Sequence, residues 1–295
     1  MPEQEAGQGR MGRNRTGREE AVVEFVRRRP ASALRPLIAW YSGYREAGVP
    51  PRRHRGLPSP YLTMIITLHD PLVITAHPDP RTPSGTYDTL VGGLHTTPAL
   101  ITHDGRQSGV QIALTPLGAR ALLGLPAGEL SGLDLDGADV LGRLAAELRE
   151  RLLETDGWAE RFTVLDRVLG RVLAATVRPS SPAPEVAHAW RLLLATDGDT
   201  SVADLAEHVG WSTRHLSQRF RTEIGLGPKE AARVVRFDRA RWMMRRSAES
   251  DDQRTLAEIA AACGYYDQAH LAREFGAFAG CPPSQWLAEE FGQPH

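Results

Sequence analysis

Cysteine is nearly missing from this chain: Cys263 and Cys281 are the two present in 295 residues. They lack the CxxC spacing of a metal knuckle or redox pair and cannot build a disulfide framework, so both are expected as small core residues. Long hydrophobic runs are missing too. The longest, such as residues 61–68, fall far short of the roughly 20 apolar residues that cross a bilayer, so no membrane partner is expected. Residues 1–20 mix Gly, Arg, Glu and Gln without periodicity or an apolar stretch. They read as a disordered tail without a signal-peptide pattern, and the expected location is the cytoplasm. An excess of one charge is also lacking, because the formal net charge is −1. A sum of that size does not advertise a nucleic-acid partner, but it hides how the charge is distributed.

Locally the balance is different. Between Arg214 and Arg246 ten basic residues stand against the acidic Glu223, Glu230 and Asp238, with Lys229 the single lysine. Such a segment is a candidate phosphate-contacting face or a solvated helix surface. Upstream, residues 61–68, 72–77, 90–103 and 110–114 are short apolar stretches separated by Pro, Gly and Asp. They predict a β-rich domain over 21–177, with Asp104-Gly105 as a hairpin turn. Two helices are expected to close it, over 140–154 and 160–177. Leu141, Leu144, Leu148 and Leu152 form a stripe on the first, which suits packing onto the β-domain better than a homodimer seam of barely two heptads. Residues 178–184 carry Pro179, Pro182 and Pro184 and read as an interdomain linker.

Residues 185–292 read as helical and contain a repeat. Leu205, Ala206, Val209 and Gly210 recur as Ile259, Ala260, Cys263 and Gly264; Leu216, Phe220, Gly225 and Pro228 recur as Leu271, Phe275, Gly280 and Pro283. In the first copy Val202, Leu205, Ala206 and Val209 mark one buried face of a short helix. Gly210 ends it, and Ser212 caps a second helix over 213–224 that buries Leu216, Phe220 and Ile224. Two short helices joined by a glycine turn, the second with a polar outer face, form a helix-turn-helix, whose second helix fits the major groove. The base-reading candidates are Thr213, Arg214, Ser217 and Gln218, since Arg and Gln match guanine and adenine edges. The second copy offers Gln268, Ala269 and Arg273, with Asp267 as cap; alanines can touch thymine methyls. Ser212, Arg221, Arg233 and Arg236 are the phosphate candidates. A helix over 228–246, about 28 Å long, would hold the two units roughly one DNA turn apart.

Gly210-Trp211-Ser212, Leu216, Phe220, Gly225-x-x-Pro228, Gly264-Tyr265-Tyr266-Asp267-Gln268, Phe275 and Gly280-Cys281-Pro282-Pro283-x-x-Trp286 resemble the AraC/XylS family of transcriptional regulators over about 105 residues. The usual Tyr-Arg is missing near Trp286-Leu287, so no phosphate contact is expected there. Residues 54–70 and 109–126 are similar to the N-terminal domain of an uncharacterised subgroup of that family. The resemblance implies an α+β chain: a β-rich, cupin-like sensor or dimerisation domain with two following helices, then an all-α DNA-binding domain of two helix-turn-helix units joined by a long helix. Its implied partners are double-stranded promoter DNA, RNA polymerase, a small-molecule effector and a second copy of the chain. The alternative is a metal-dependent cupin-type enzyme fused to a DNA-binding module. His54, His69, His77, His95 and His103 lack the HxH-plus-Glu spacing of such a site, so no metal or cofactor is expected. An alkylation-repair enzyme would need an acceptor cysteine, and the first 262 positions have none. The expected protein is therefore a regulator and no enzyme.

Overall fold

A computed structural model describes residues 21–175, 182–249 and 254–291. The expected tail lies outside the described residues, as does most of the expected linker. The N-terminal part contains β1 (Val22–Arg28), β2 (Ile38–Ala47), β3 (Arg52–Gly56), β4 (Leu62–Thr67), β5 (Leu72–Ala76), β6 (Gly85–Tyr87), β7 (Thr89–Gly92), β8 (Ala99–His103), β9 (Gln107–Leu114) and β10 (Asp134–Asp136). The helix α1 (Pro116–Leu123) and a 3-10 turn, Ala127–Leu130, separate β9 from β10. Then come α2 (Gly137–Leu141), α3 (Arg143–Leu153) and α4 (Trp158–Ala175).

The strands form two antiparallel sheets, ordered β1-β2-β9-β4-β7-β10 and β3-β8-β5-β6. One face of the larger sheet is apolar and covered by helices. Ile38, Tyr41, Ile66, Val110 and Ile112 are buried there in one cluster with Leu148, Leu152, Phe162 and Leu165. The leucine stripe is thus used inside the domain: Leu148 and Leu152 are fully buried, and Leu141 and Leu144 pack against the same core. Tyr41 stacks on Phe162 and donates a hydrogen bond to Asp166, which also pairs with Arg28 at 2.8 Å. The other face lines a cavity, because successive side chains of a strand alternate between faces.

Two local expectations need correction. Asp104 and Gly105 do make a turn, with Gly105 at φ 107°, but no hairpin. β8 pairs with β3 and β5 while β9 pairs with β2 and β4, so the turn carries the chain from one sheet to the other. The helix expected over 140–154 is two helices. Gly142 takes φ 57°, a conformation cheap for glycine, and its amide closes α2 on the Ala138 carbonyl.

The C-terminal part is all-helical: α5 (Pro184–Ala195), α6 (Val202–His208), α7 (Thr213–Ile224), α8 (Pro228–Glu249), α9 (Leu256–Ala262), α10 (Gln268–Ala279) and α11 (Pro283–Phe291). α8 has 22 residues, hence a length of about 33 Å at 1.5 Å per residue. Leu216, Phe220 and Ile224 are fully buried, as are Leu271 and Phe275, with Phe278 nearly so. Trp190 of α5 packs on Phe220, and Phe237 of α8 packs on Phe275 and Phe278. The two units therefore have separate aromatic centres on one shared rod. Cys263 and Cys281 are free and buried, as small core residues should be.

Candidate nucleic-acid interface and effector cavity

Both helix-turn-helix units are built as their sequences require. Gly210 and Gly264 adopt φ 69° and 71° in the turns after α6 and α9, a region open to glycine at little cost. Ser212 Oγ accepts the His215 amide and Asp267 accepts the His270 amide at 2.6 Å, capping α7 and α10. Thr255 and Glu258 form a reciprocal capping box at α9.

Burying Leu216, Phe220 and Ile224 turns the opposite face of α7 outward. Thr213, Arg214, Gln218 and Arg221 are exposed there and Ser217 is half-buried. On α10 Gln268, Ala269 and Arg273 are exposed. Two neighbours escaped the sequence reading: His215, whose ring meets Trp211 edge-on at 4.5 Å, and Tyr266, 93% exposed beside the α10 cap.

The basic segment is less open than its charge count suggests. Glu274, almost fully buried, takes Arg233 at 2.6 Å and Arg236 at 3.7 Å; Arg239 pairs with Asp197, Arg241 with Asp238 and Arg245 with Glu249. Arg233 and Arg236, expected as phosphate contacts, are both turned to Glu274. Arg214, Lys229 and Arg246 are exposed and make no ion pair among the described residues. The acids that consume the charge, Asp197, Glu249 and Glu274, lie outside the counted segment, which is why a local sum overstated the free charge.

The N-terminal domain encloses a cavity of about 560 Å³ between its two sheets. The floor is apolar: Ile65, Leu72, Ile74, Leu90 and Ile101. Ser42, Tyr44 and Glu46 of β2 line one wall, each paired across to Arg27, Phe25 and Val23 of β1. Asp134 holds His77 at 2.8 Å on the far side, and Tyr87 bonds the other nitrogen of that imidazole. The other domain contributes to its lining through Trp242 and Arg245 of α8 and Phe291 of α11. Arg27 lies between Trp40 and Trp242, 3.8 and 4.8 Å from the two rings, and Arg55 pairs with Glu289 of α11. Among the described residues no three His, Cys, Asp or Glu side chains gather as metal ligands. The cavity was not legible in the sequence because its lining comes from nine strands and two distant helices.

His54 faces this cavity, and its pKa falls to about 4 from 6.5 through burial first and the neighbouring His103 second. The unfolded chain thus binds a proton there before the folded chain does, so stability is lost as pH falls from about 6.5 towards 4. The urea midpoint should drop across that window, and His54→Gln should flatten the drop. An unchanged slope in the variant would place the pH response elsewhere.

These features define the class of protein, a β-sheet domain joined to a paired helix-turn-helix domain. Residues 205–289 match the helix-turn-helix domain family, and 26–136 match a domain of unknown function. An uncharacterised HTH-type transcriptional regulator of Staphylococcus aureus strain MSSA476 is 32% identical over 91 residues, 31% of this chain and 12% of the relative. The chain thus spans about an eighth of the staphylococcal protein. The HTH-type transcriptional activator RhaR of Pectobacterium atrosepticum is 25% identical over 175 residues, 55% of this chain and 60% of RhaR. The solved structure of ToxT from Vibrio cholerae shares the fold, with TM-score 0.52 and 12% identity over 84% of this chain and 97% of ToxT. Another ToxT structure, at TM-score 0.51 and 11% identity over 83% of this chain and 96% of ToxT, has an unsaturated fatty acid bound. The C-terminal domain is thus a helix-turn-helix domain of the AraC type, and the chain is similar to HTH-type transcriptional regulators.

Proposed function

We propose that this chain is a sequence-specific DNA-binding regulator of transcription that sets α7 and α10 into successive major grooves of promoter DNA, under control of a small molecule held in the N-terminal cavity. The observation that carries this reading is the pair of capped helices with exposed polar faces, joined by a rod of about 33 Å, close to the 34 Å or so of one DNA turn. Thr213, Arg214, Ser217 and Gln218 read bases from the first unit, and Gln268, Ala269 and Arg273 from the second. Arg221 and the Ser212 end of α7 meet phosphates. Arg233 and Arg236 serve the interface by fixing α10 through Glu274.

A cavity of about 560 Å³ with an apolar floor and a few polar groups is of ordinary size for a small ligand. The ToxT complex supports the reading, since a protein of this fold does take a small molecule. The chain works as a regulator in the cytoplasm and has no catalytic role. RNA polymerase is its protein partner. A second copy would have to dock through a surface other than the leucine stripe, which sedimentation at micromolar concentration tests. The main test is capture of genomic fragments by the purified chain: promoter-region fragments should be enriched, with binding that weakens steeply as salt rises. Capture without sequence preference would overturn the reading. Thermal-shift screening of small metabolites, with Ile74→Trp as a cavity-filled control, tests the effector site.

A further inference from the structure

The N-terminal domain grips the DNA-binding domain at two places, and the one at α7 has a regulatory consequence. Arg120 of α1 makes two hydrogen bonds to Glu223, at 2.8 and 3.1 Å. Glu223 is almost fully buried near the C-terminal end of α7. Ser131 donates to the Gly225 carbonyl at 2.6 Å. Between these bonds the 3-10 turn lies so close that a Cβ on Gly128 would collide with the Thr222 carbonyl. Gly128 also borders the depression formed by Arg214, Ser217, Gln218, Arg221 and Thr222, the side of α7 offered to DNA.

A helix with its side chains, about 10–12 Å across, already fills a major groove about 12 Å wide. A second body fixed against Thr222, one turn from Gln218, meets the sugar-phosphate wall when α7 enters. The same segment is tied to the cavity. Gly132 donates to the Leu94 carbonyl, Gly93 donates to the Leu133 carbonyl, and β10 pairs with β7, setting Asp134 against Gly92. Gly92, Gly93 and Asp134 all line the cavity.

We infer that Arg120, Gly128 and Ser131 form an inhibitory clamp on the first recognition helix, opened when a ligand displaces the β7–β10 wall. This rests on the reading of α7 as DNA-binding and of the cavity as the effector site. Opening breaks the Arg120–Glu223 pair and the Ser131 hydrogen bond and parts the 3-10 turn, with its buried Ala127 and Leu130, from α7; Arg219 stands 3.9 Å from Glu223 and stays beside it.

The test uses the full chain and the fragment that wild type captures best, with affinity read by fluorescence anisotropy and folding checked by circular dichroism. Arg120→Glu should bind DNA about fivefold or more tightly, the lower range of allosteric coupling. Ser131→Ala should shift affinity the same way by less. Arg120→Glu combined with Glu223→Arg should return to the wild-type value, and hydrogen exchange at 219–226 should rise in the single variant and fall back in the pair. Equal affinity of wild type and Arg120→Glu would overturn the clamp while leaving the regulator reading intact. Weaker binding by a folded Arg120→Glu would also overturn it, because the contact would then support binding. A wild-type chain that prefers no fragment would overturn both.

Discussion

Phe237→Ala is expected to cost about 3–5 kcal/mol, the range for deleting a buried aromatic ring. Phe237 sits midway along α8 with no exposed surface, against Phe275 at 5.1 Å and Phe278 at 5.0 Å between ring centres. Both partners belong to α10, so this ring fastens the second unit to the rod. Collapse into the void is restrained on two sides. Arg233 lies over Phe278, 4.9 Å from its ring, and is held by Glu274; Trp286 of α11 leans on Phe275 at 5.5 Å. A loss of that size is a large share of the roughly 5–15 kcal/mol that stabilises a domain. Urea unfolding should show it directly, and hydrogen exchange should rise across 256–291 before it rises across 202–224, whose centre is Trp190 and Phe220. A cost under about 1 kcal/mol, or a uniform rise in exchange, would refute this division of the core.

The two helix-turn-helix units are legible in the sequence of the C-terminal third, and the architecture upstream is much less so. Each short helix there states its own boundaries: a buried triad at helical spacing, a Ser or Asp cap, a glycine that ends the turn. Such signals lie within about a dozen residues, so Leu216, Phe220, Gly210 and Ser212 could be placed without knowledge of anything distant. Strand pairing has no such local record. Residues 101–114 look like a hairpin because the turn chemistry at Asp104-Gly105 is the same whether the chain returns to its neighbour or crosses to another sheet. Val22–Arg28 carries a weak strand signal, since its more exposed face, which lines the cavity, bears the apolar Val23 and Phe25 and no residue of the strand is fully buried. Charge was the least legible property of the site. The arginines of α8 are visible as a run, but their partners Asp197 and Glu274 are brought in by folding, and of the three arginines of α7 Arg214 alone makes no ion pair among the described residues.

Arg214→Ala should therefore give the largest loss of sequence discrimination, about 1–3 kcal/mol at one base pair, or roughly 5- to 150-fold in affinity. Arg214 is the second residue of α7, in the end of a recognition helix that reaches base edges. Its guanidinium is exposed and makes no ion pair among the described residues, so no internal salt bridge has to break before it binds. A bidentate Arg contact satisfies two acceptors on one guanine, and no other base pair offers both in that arrangement. The loss should be concentrated at a single position of the site, with affinity for scrambled DNA and the slope of log affinity against log salt nearly unchanged. Arg221→Ala makes the opposite control: a phosphate contact costs affinity evenly on all sequences and lowers that slope by about one. Arg273→Ala on α10 should behave as Arg214→Ala does but more weakly, because its neighbours Ala269 and Ala272 contribute methyl contacts rather than hydrogen bonds. Anisotropy titrations of the three variants on a single-substitution panel of the captured site separate these cases. An even loss for Arg214→Ala across the panel would move that arginine from base reading to the phosphate backbone.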